Sequence, residues 1–205
     1  MPSPGIYKRY AENEYYHIFN RGNNKLTIFR DDQDYKTFLK FFWELVKHSH
    51  VSPTRVPDIV PLCYCLMPTH FHCLLKQTSK TGITNFMKRL IVKYVMYFNR
   101  KHERVGRLFQ SIFKAKHIDE EGYLLHLSRY IHLNPVEIWR GALEEYPYSS
   151  YSTYLGAQKN SLLNTEDILG FFQSARRLSL KRIQSYRDFV ESQLEGNTLE
   201  YSYLG

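Results

Sequence analysis

The stretch from Asp58 to Leu75, DIVPLCYCLMPTHFHCLL, decides the fold. Asp58 to Leu66 is rich in β-branched and apolar residues and reads as a buried strand. Met67-Pro68-Thr69 interrupts it, and His70 to Leu75 reads as the next strand. Side chains two apart on a strand point to the same face. His70 and His72 therefore leave one face side by side, with Phe71 behind them.

Outward from this pair, Tyr15 to Asn20 (YYHIFN) is a β-rich run ended by the turn residues Arg21-Gly22-Asn23-Asn24. Asp31, Asp32 and Asp34 precede YKTFLKFFWELVKH, whose Phe38, Phe41, Phe42 and Leu45 repeat at helical spacing. Ser52 to Pro57 reads as a loop. Thr81-Gly82 opens a second helix, with Phe86, Leu90, Val92, Tyr94, Tyr97 and Phe98 along a stripe. Leu108 to Ile118 holds short β-like pieces. Asp119 is a candidate N-cap for a third helix, YLLHLSRYIHL, which should stop near Asn134-Pro135 because the residue before proline disfavours the α region. Tyr146 to Ser150 reads as a loop. Helical turns are expected at Glu166 to Phe172 and Leu180 to Glu195, followed by a mobile end.

Strand, helix, strand, strand, helix, strand and then helix is the order of a ferredoxin-like split βαβ arrangement. The expectation is an α+β fold: one antiparallel sheet with helices on one face, spanning residues 1–156, and a helical C-terminal extension over 157–205.

The chain has 205 residues, 43% of them hydrophobic and 23% charged, which is a globular composition of one domain. No run approaches the roughly 18 apolar residues of a membrane helix. The opening MPSPGIYKRYAENEYY lacks the apolar core of a secretory signal. Three cysteines do not suggest a disulfide framework, so a cytoplasmic setting is expected.

The net charge of +8 is unevenly placed: Lys76 to His117 alone carries +10, and the remainder −2. Basic side chains neutralise phosphates, and the interleaved aromatics can stack on unpaired bases. A solvated basic helix with core aromatics has the same composition.

Two imidazoles on one strand face can share a divalent metal. In the third helix, Tyr123, His126, Tyr130 and Asn134 are three or four apart and fall on one stripe. A tyrosine hydroxyl can attack phosphorus, and an amide oxygen can ligate a hard cation. One concrete reading is a metal held by His70, His72 and Asn134 beside a phosphodiester attacked by Tyr130. A competing reading is zinc, from Cys63, Cys65 and Cys73 together with the His pair, although the usual Cys-x2-Cys spacing is missing.

At these residues the sequence resembles the single-tyrosine HUH transposases of the insertion-sequence-200-like family, in the branch of REP-associated tyrosine transposases. Four ordered blocks carry the likeness: YYHIFNRGNNKLTIFRDDQDYKTFL, CLMPTHFHCLL, YFNRKHERVGRLFQSIFKAKHID and YLLHLSRYIHLNPV, over about Tyr15 to Leu155. The resemblance implies the same ferredoxin-like sheet. It also implies His70, His72 and Asn134 as ligands of Mg²⁺ or Mn²⁺, and Tyr130 as a nucleophile that forms a 5′-phosphotyrosine link. Tyr123 is the rival tyrosine, two helical turns (about 10 Å along the axis) before Tyr130. The implied partner is single-stranded DNA with hairpin or repeat structure. Arg100, Lys101, Arg104 and Arg107 are the first candidates for phosphate contacts, with Lys88, Arg89 and Lys93 beside them. The family includes monomers and dimers, so a homodimer fits as well as a monomer. A protein of this fold that binds hairpins without cutting them is the alternative.

Overall fold

The computed structural model describes residues 10–49, 58–177 and 185–195. Four strands, β1 (Glu14–Arg21), β2 (Ile59–Met67), β3 (His70–Gln77) and β4 (Lys114–Ile118), form one sheet in the order β2-β3-β1-β4. Every neighbouring pair is antiparallel. Helix α1 (Asp32–Ser49) joins β1 to β2, and α2 (Gly82–Lys101) joins β3 to β4. Each helix crosses over one intervening strand, which is the split βαβ order expected from the sequence.

Helices cover both faces of this sheet rather than one. Ile18, Leu66, Phe71, Cys73 and Leu75 pack against α1 and α2 through Phe38, Phe42, Phe86, Leu90 and Tyr94. On the other face, Leu62, Cys63, Cys65, Met67, Leu74 and Ile118 pack against α3 (Glu121–Leu133). The physical reason lies in β2 and β3, whose near-continuous apolar runs are those of strands buried on both sides. Pro61 sits on an edge strand, where a missing donor is tolerated, and the register shifts between Pro61 and Cys63. That bulge turns Leu62 and Cys63 alike into the α3-side core.

The shorter elements refine the expected boundaries. In α2, Ile83 and Met87 complete the buried stripe, whereas Val92 is 51% exposed. The 86-90-94-98 spacing defines the inward face, and Val92 lies off it. The N-cap position of α3 is Glu120, not Asp119, and no side chain caps it. The α-helix ends at Leu133 as expected, but Asn134–Glu137 continue as a 3-10 turn. Asn134 itself stays in the α region (φ −49°, ψ −41°), contrary to the usual bias before proline, so the chain tightens into the 3-10 turn rather than breaking at Pro135.

Residues 148–150, expected as loop, run beside β2: Leu66 N donates to Tyr148 O and Ser150 N to Tyr64 O, at 2.9 and 3.0 Å. This pairing covers part of the sheet edge.

The C-terminal helices α5 (Glu166–Arg177) and α6 (Tyr186–Glu195) follow the four-residue α4 (Tyr151–Tyr154). Ile168, Phe172, Tyr186, Phe189 and Val190 complete the α3-side core. The extension thus packs directly on the sheet-and-helix unit. The expected loop at Ser52 to Pro57, the first turn of the Leu180 to Glu195 helix and the mobile end lie outside the described residues.

Two features position the histidine strand. The Pro68-Thr69 turn between β2 and β3 is clamped: Pro68 O accepts from Ile28 N and Phe29 N, and Thr69 O accepts from Gly22 N at 2.8 Å. Gly22 is needed for the turn after β1, since a Cβ there would stand 1.9 Å from Leu26 O. The start of α1 is tied to the end of α2 through Asp34. Its fully buried carboxylate accepts from Arg30 N, Lys101 Nζ and His102 Nε2, each at 2.8–2.9 Å.

Candidate active site

Register places the site residues on one face of the sheet. His70 lies opposite Arg21, and His72 opposite Phe19. On the other side of β1, Phe19 pairs with Lys114 and His17 with Lys116. Residues directly opposite share a face. His70, His72, His17, Arg21, Lys114 and Lys116 therefore all point to the side that α3 covers.

Helix α3 then brings its polar stripe down onto the histidines. The Tyr130 ring stands edge-on to His72, centroids 5.3 Å apart, and to His17 at 6.2 Å. One turn on, Asn134 Nδ2 donates to the Tyr130 carbonyl at 2.9 Å. That bond fixes the amide orientation and turns Oδ1 toward His70 Nε2, 3.4 Å away. A cleft of about 530 Å³ opens here, lined by His70, His72, Tyr130 and Asn134, with Arg21, Lys114 and Glu137 at its walls.

Burial sets the charge state of the imidazoles. It is the main cause that holds His70 and His72 below the usual histidine pKa, and it pulls His17 down to about 3, with Lys116 adding to the effect. At His70, Asn134 and Glu137 pull upward and Arg21 downward. Neutral imidazoles keep lone pairs, which a metal ligand needs. Two ligand atoms cis to each other at about 2.1 Å from an octahedral ion stand about 3 Å apart, so the His70–Asn134 spacing suits a shared ion. Two imidazole nitrogens and an amide oxygen could hold a divalent cation, the nitrogens suiting a transition ion better than Mg²⁺.

The structure thus brings His70, His72, Tyr130 and Asn134 together. Tyr123 is left out: it does not line the cleft, and its ring lies 4.9 Å beneath Lys116 Nζ. His126, on the same stripe, is held by Arg129 at 2.7 Å. The three cysteines do not converge. Cys63 and Cys65 face α3, whereas Cys73 belongs to the opposite core. Burial pushes all three thiols up, away from the thiolate form that zinc requires. Among the described residues no group of three or more His, Cys, Asp or Glu is gathered as for a metal.

The candidate DNA-binding cations scatter. Lys88, Arg89 and Lys93 sit on α2, which packs on the sheet face away from the cleft. Lys93 also lies 3.6 Å from Glu44. Lys101 is bound by Asp31 and Asp34 at 2.6 and 2.9 Å. Arg104 donates to Asn99 Oδ1. Arg100 and Arg107 are exposed where the chain leaves α2. The segment that follows reaches the cleft through Gln110 N, which donates to Arg21 O at 3.0 Å. Sequence reasoning passed over His17, Arg21, Lys114 and Glu137. Alternation groups His17 with Arg21 and Lys114 with Lys116, but only the pairing of β1 with β3 and β4 puts them on the histidine face.

Comparison with known proteins gives the family and the fold. The family model described as "Transposase IS200 like" matches residues 10–134, which takes in all four site residues. The chain belongs to the IS200-like transposase family. Among solved structures, it resembles a REP-associated tyrosine transposase bound to a REP hairpin, with a TM-score of 0.57 at 14% identity, over 78% of this chain and 98% of that one. That likeness shows the fold. A candidate transposase from Deinococcus radiodurans R1 aligns at a TM-score of 0.41 and 14% identity, over 64% of this chain and 95% of that one. A search of curated proteins finds no match. Among the described residues no helix is long and apolar enough to cross a membrane.

Proposed function

We propose that this transposase cuts and rejoins single-stranded DNA at hairpins through Tyr130. In this reading His70, His72 and Asn134 hold Mg²⁺ or Mn²⁺. The observation that carries it is the meeting, in one cleft, of the Tyr130 ring with His72 and of Asn134 Oδ1 with His70 Nε2. Hairpin DNA as substrate draws on the similar solved structure, whose own ligand is a REP hairpin.

A cation held by these three side chains would withdraw electron density from the scissile phosphate and orient it. Tyr130 Oη forms a bond to phosphorus while the P–O3′ bond breaks, and the phenol proton ends on the departing 3′ oxygen. The products are a 5′-phosphotyrosine and a free 3′-hydroxyl. Attack by a second strand's 3′-hydroxyl reverses these changes: the new P–O3′ bond forms, the P–Oη bond breaks, and the proton returns to Tyr130. One phosphodiester is exchanged for another, so joining needs no external energy source.

Arg21 and Lys114 flank the cleft, and Lys116 continues the same edge of the sheet. We assign them the DNA backbone in preference to the cations on α2. Phe19, beneath Lys114, offers an aromatic face beside them.

The test is a denaturing gel with labelled hairpin oligonucleotides, with Mg²⁺ or Mn²⁺ and with chelator. A slow-migrating adduct that needs metal and disappears in Tyr130→Phe supports the reading. Tight hairpin binding with no adduct in any condition would replace it with a protein that binds without cutting.

A further inference from the structure

Each cleft histidine has its Nδ1 engaged by a neighbouring side chain. His70 Nδ1 stands 3.0 Å from Thr69 Oγ1, and His72 Nδ1 stands 2.8 Å from His17 Nε2. A hydroxyl can donate or accept, so Thr69 suits His70 in either tautomer. The His17–His72 contact is more restrictive. It holds one proton, and the side on which that proton lies decides the chemistry of His72.

If the proton sits on His17 Nε2, a neutral His72 carries its own proton on Nε2, and the lone pair there is lost. If it sits on His72 Nδ1, His72 Nε2 keeps a lone pair toward the cleft. His17 then carries its proton on Nδ1. That nitrogen is buried and is without a hydrogen-bond partner among the described residues. A leucine or phenylalanine would fill this space without leaving a polar atom unpaired. The justification for a histidine at position 17 therefore lies in its other nitrogen.

We propose that His17 is a positioning residue for His72. Its Nε2 accepts a hydrogen bond from the His72 Nδ1–H, which sets the ring's orientation and leaves His72 Nε2 as the ligating atom. Cation binding and the tautomer of the pair are consequently linked. The inference rests on the cation reading of the cleft given above. It adds a residue on β1 to a site otherwise built from β3 and α3. Groups that orient metal-binding histidines in this way commonly contribute 10–100-fold to affinity.

Mn²⁺ binding to the metal-free full chain, followed by electron paramagnetic resonance without DNA, tests this. The variants are His17→Leu, which removes the acceptor, and His17→Gln, whose Oε1 is as many bonds from Cβ as His Nε2 is. His70→Ala reports on the cleft itself. Expected are a loss of about tenfold or more in Mn²⁺ affinity for His17→Leu, near-wild-type affinity for His17→Gln, and comparable thermal midpoints for the two. Long-range ¹H–¹⁵N spectra of the Mg²⁺-saturated wild type should show the His72 proton on Nδ1, a readout that stands even if His17→Leu does not fold. Wild-type affinity in His17→Leu, with loss in His70→Ala, would overturn the role of His17 and leave the cleft reading intact. A His72 proton on Nε2 in the Mg²⁺-saturated protein would overturn the role of His17 and remove His72 from the ligand set as well. Mn²⁺ binding indifferent to His70→Ala would overturn the cleft reading, and the role of His17 with it.

Discussion

Asn134 donates its side-chain amide to the Tyr130 carbonyl, 2.9 Å away, and so ties the last turn of α3 to the residue proposed as nucleophile. The same amide turns its oxygen to His70. One side chain thus fixes both the helix end and the oxygen proposed as third ligand. Asn134→Ala should weaken Mn²⁺ binding and slow adduct formation, each by about 10–100-fold. Asn134→Asp keeps an oxygen but cannot donate to the Tyr130 carbonyl, so it should recover metal binding better than activity. Parallel metal titrations and single-turnover gels separate the two effects.

Lys114 stands at the cleft wall on an edge strand, above Phe19. Lys114→Ala should lower hairpin affinity and reduce the slope of log affinity against log salt by about 0.7, one phosphate contact on a single strand. Lys88→Ala, on the far layer, should leave the slope unchanged. Fluorescence anisotropy over a salt series measures both.

Asp34 gives the fold an acid-sensitive point. Burial alone would raise its pKa, but the bonds from Lys101, the Arg30 amide and His102 outweigh burial and hold it below the usual value of 3.8. The unfolded chain therefore takes up this proton at a higher pH than the folded one. The stabilisation is fully present above about pH 4 and is lost as pH falls through the lower folded value. Asp34→Asn should cost about 1–3 kcal/mol near neutral pH, since the amide's NH2 would face donors that the buried carboxylate now satisfies. Its thermal midpoint should also fall less steeply than the wild type's below pH 4. Calorimetry across pH 2.5 to 7 would check both.

A buried network joins α3 to α6. His132 Nδ1 lies 2.7 Å from Tyr186 Oη, which donates to Ser128 Oγ, and His132 Nε2 lies 2.8 Å from Ser150 Oγ. Tyr186→Phe leaves His132 and Ser128 each short of a partner. The expected cost is about 1–3 kcal/mol, or a drop of several degrees in thermal midpoint for a chain of this size. Because α3 carries Tyr130, cleavage should fall more than the fraction unfolded accounts for. Equal loss of folding and of cleavage would confine the network to stability.

The fold was legible because its signals are local. Alternation and turn residues marked β1 and the β2–β3 hairpin, and helical spacing marked α1 and α3. The second helix layer was harder to see, although the unbroken apolar run from Ile59 to Met67 is that of a strand covered on both sides. His70, His72, Tyr130 and Asn134 could be found because each pair lies within one element at a fixed spacing. His17 and Lys114 reach the site only through the register of β1 with β3 and β4, a long-range fact with no local mark. Composition pointed to the whole 76–117 segment as basic. It could not show that Lys101 is spent on Asp31 and Asp34, or that α2 faces away from the cleft.

The identity of the nucleophile is the centre of this account, and trypsin separates its two candidates cleanly. Cleavage after Arg129 places Tyr130 at the start of YIHLNPVEIWR, while Tyr123 stays in HIDEEGYLLHLSR. The most direct measurement is mass spectrometry of the trypsin- and nuclease-treated protein–DNA adduct. A nucleotide mass is expected on the peptide that begins at Tyr130, and on Tyr130 itself after fragmentation. A nucleotide carried by the Tyr123 peptide would contradict Tyr130 as the nucleophile.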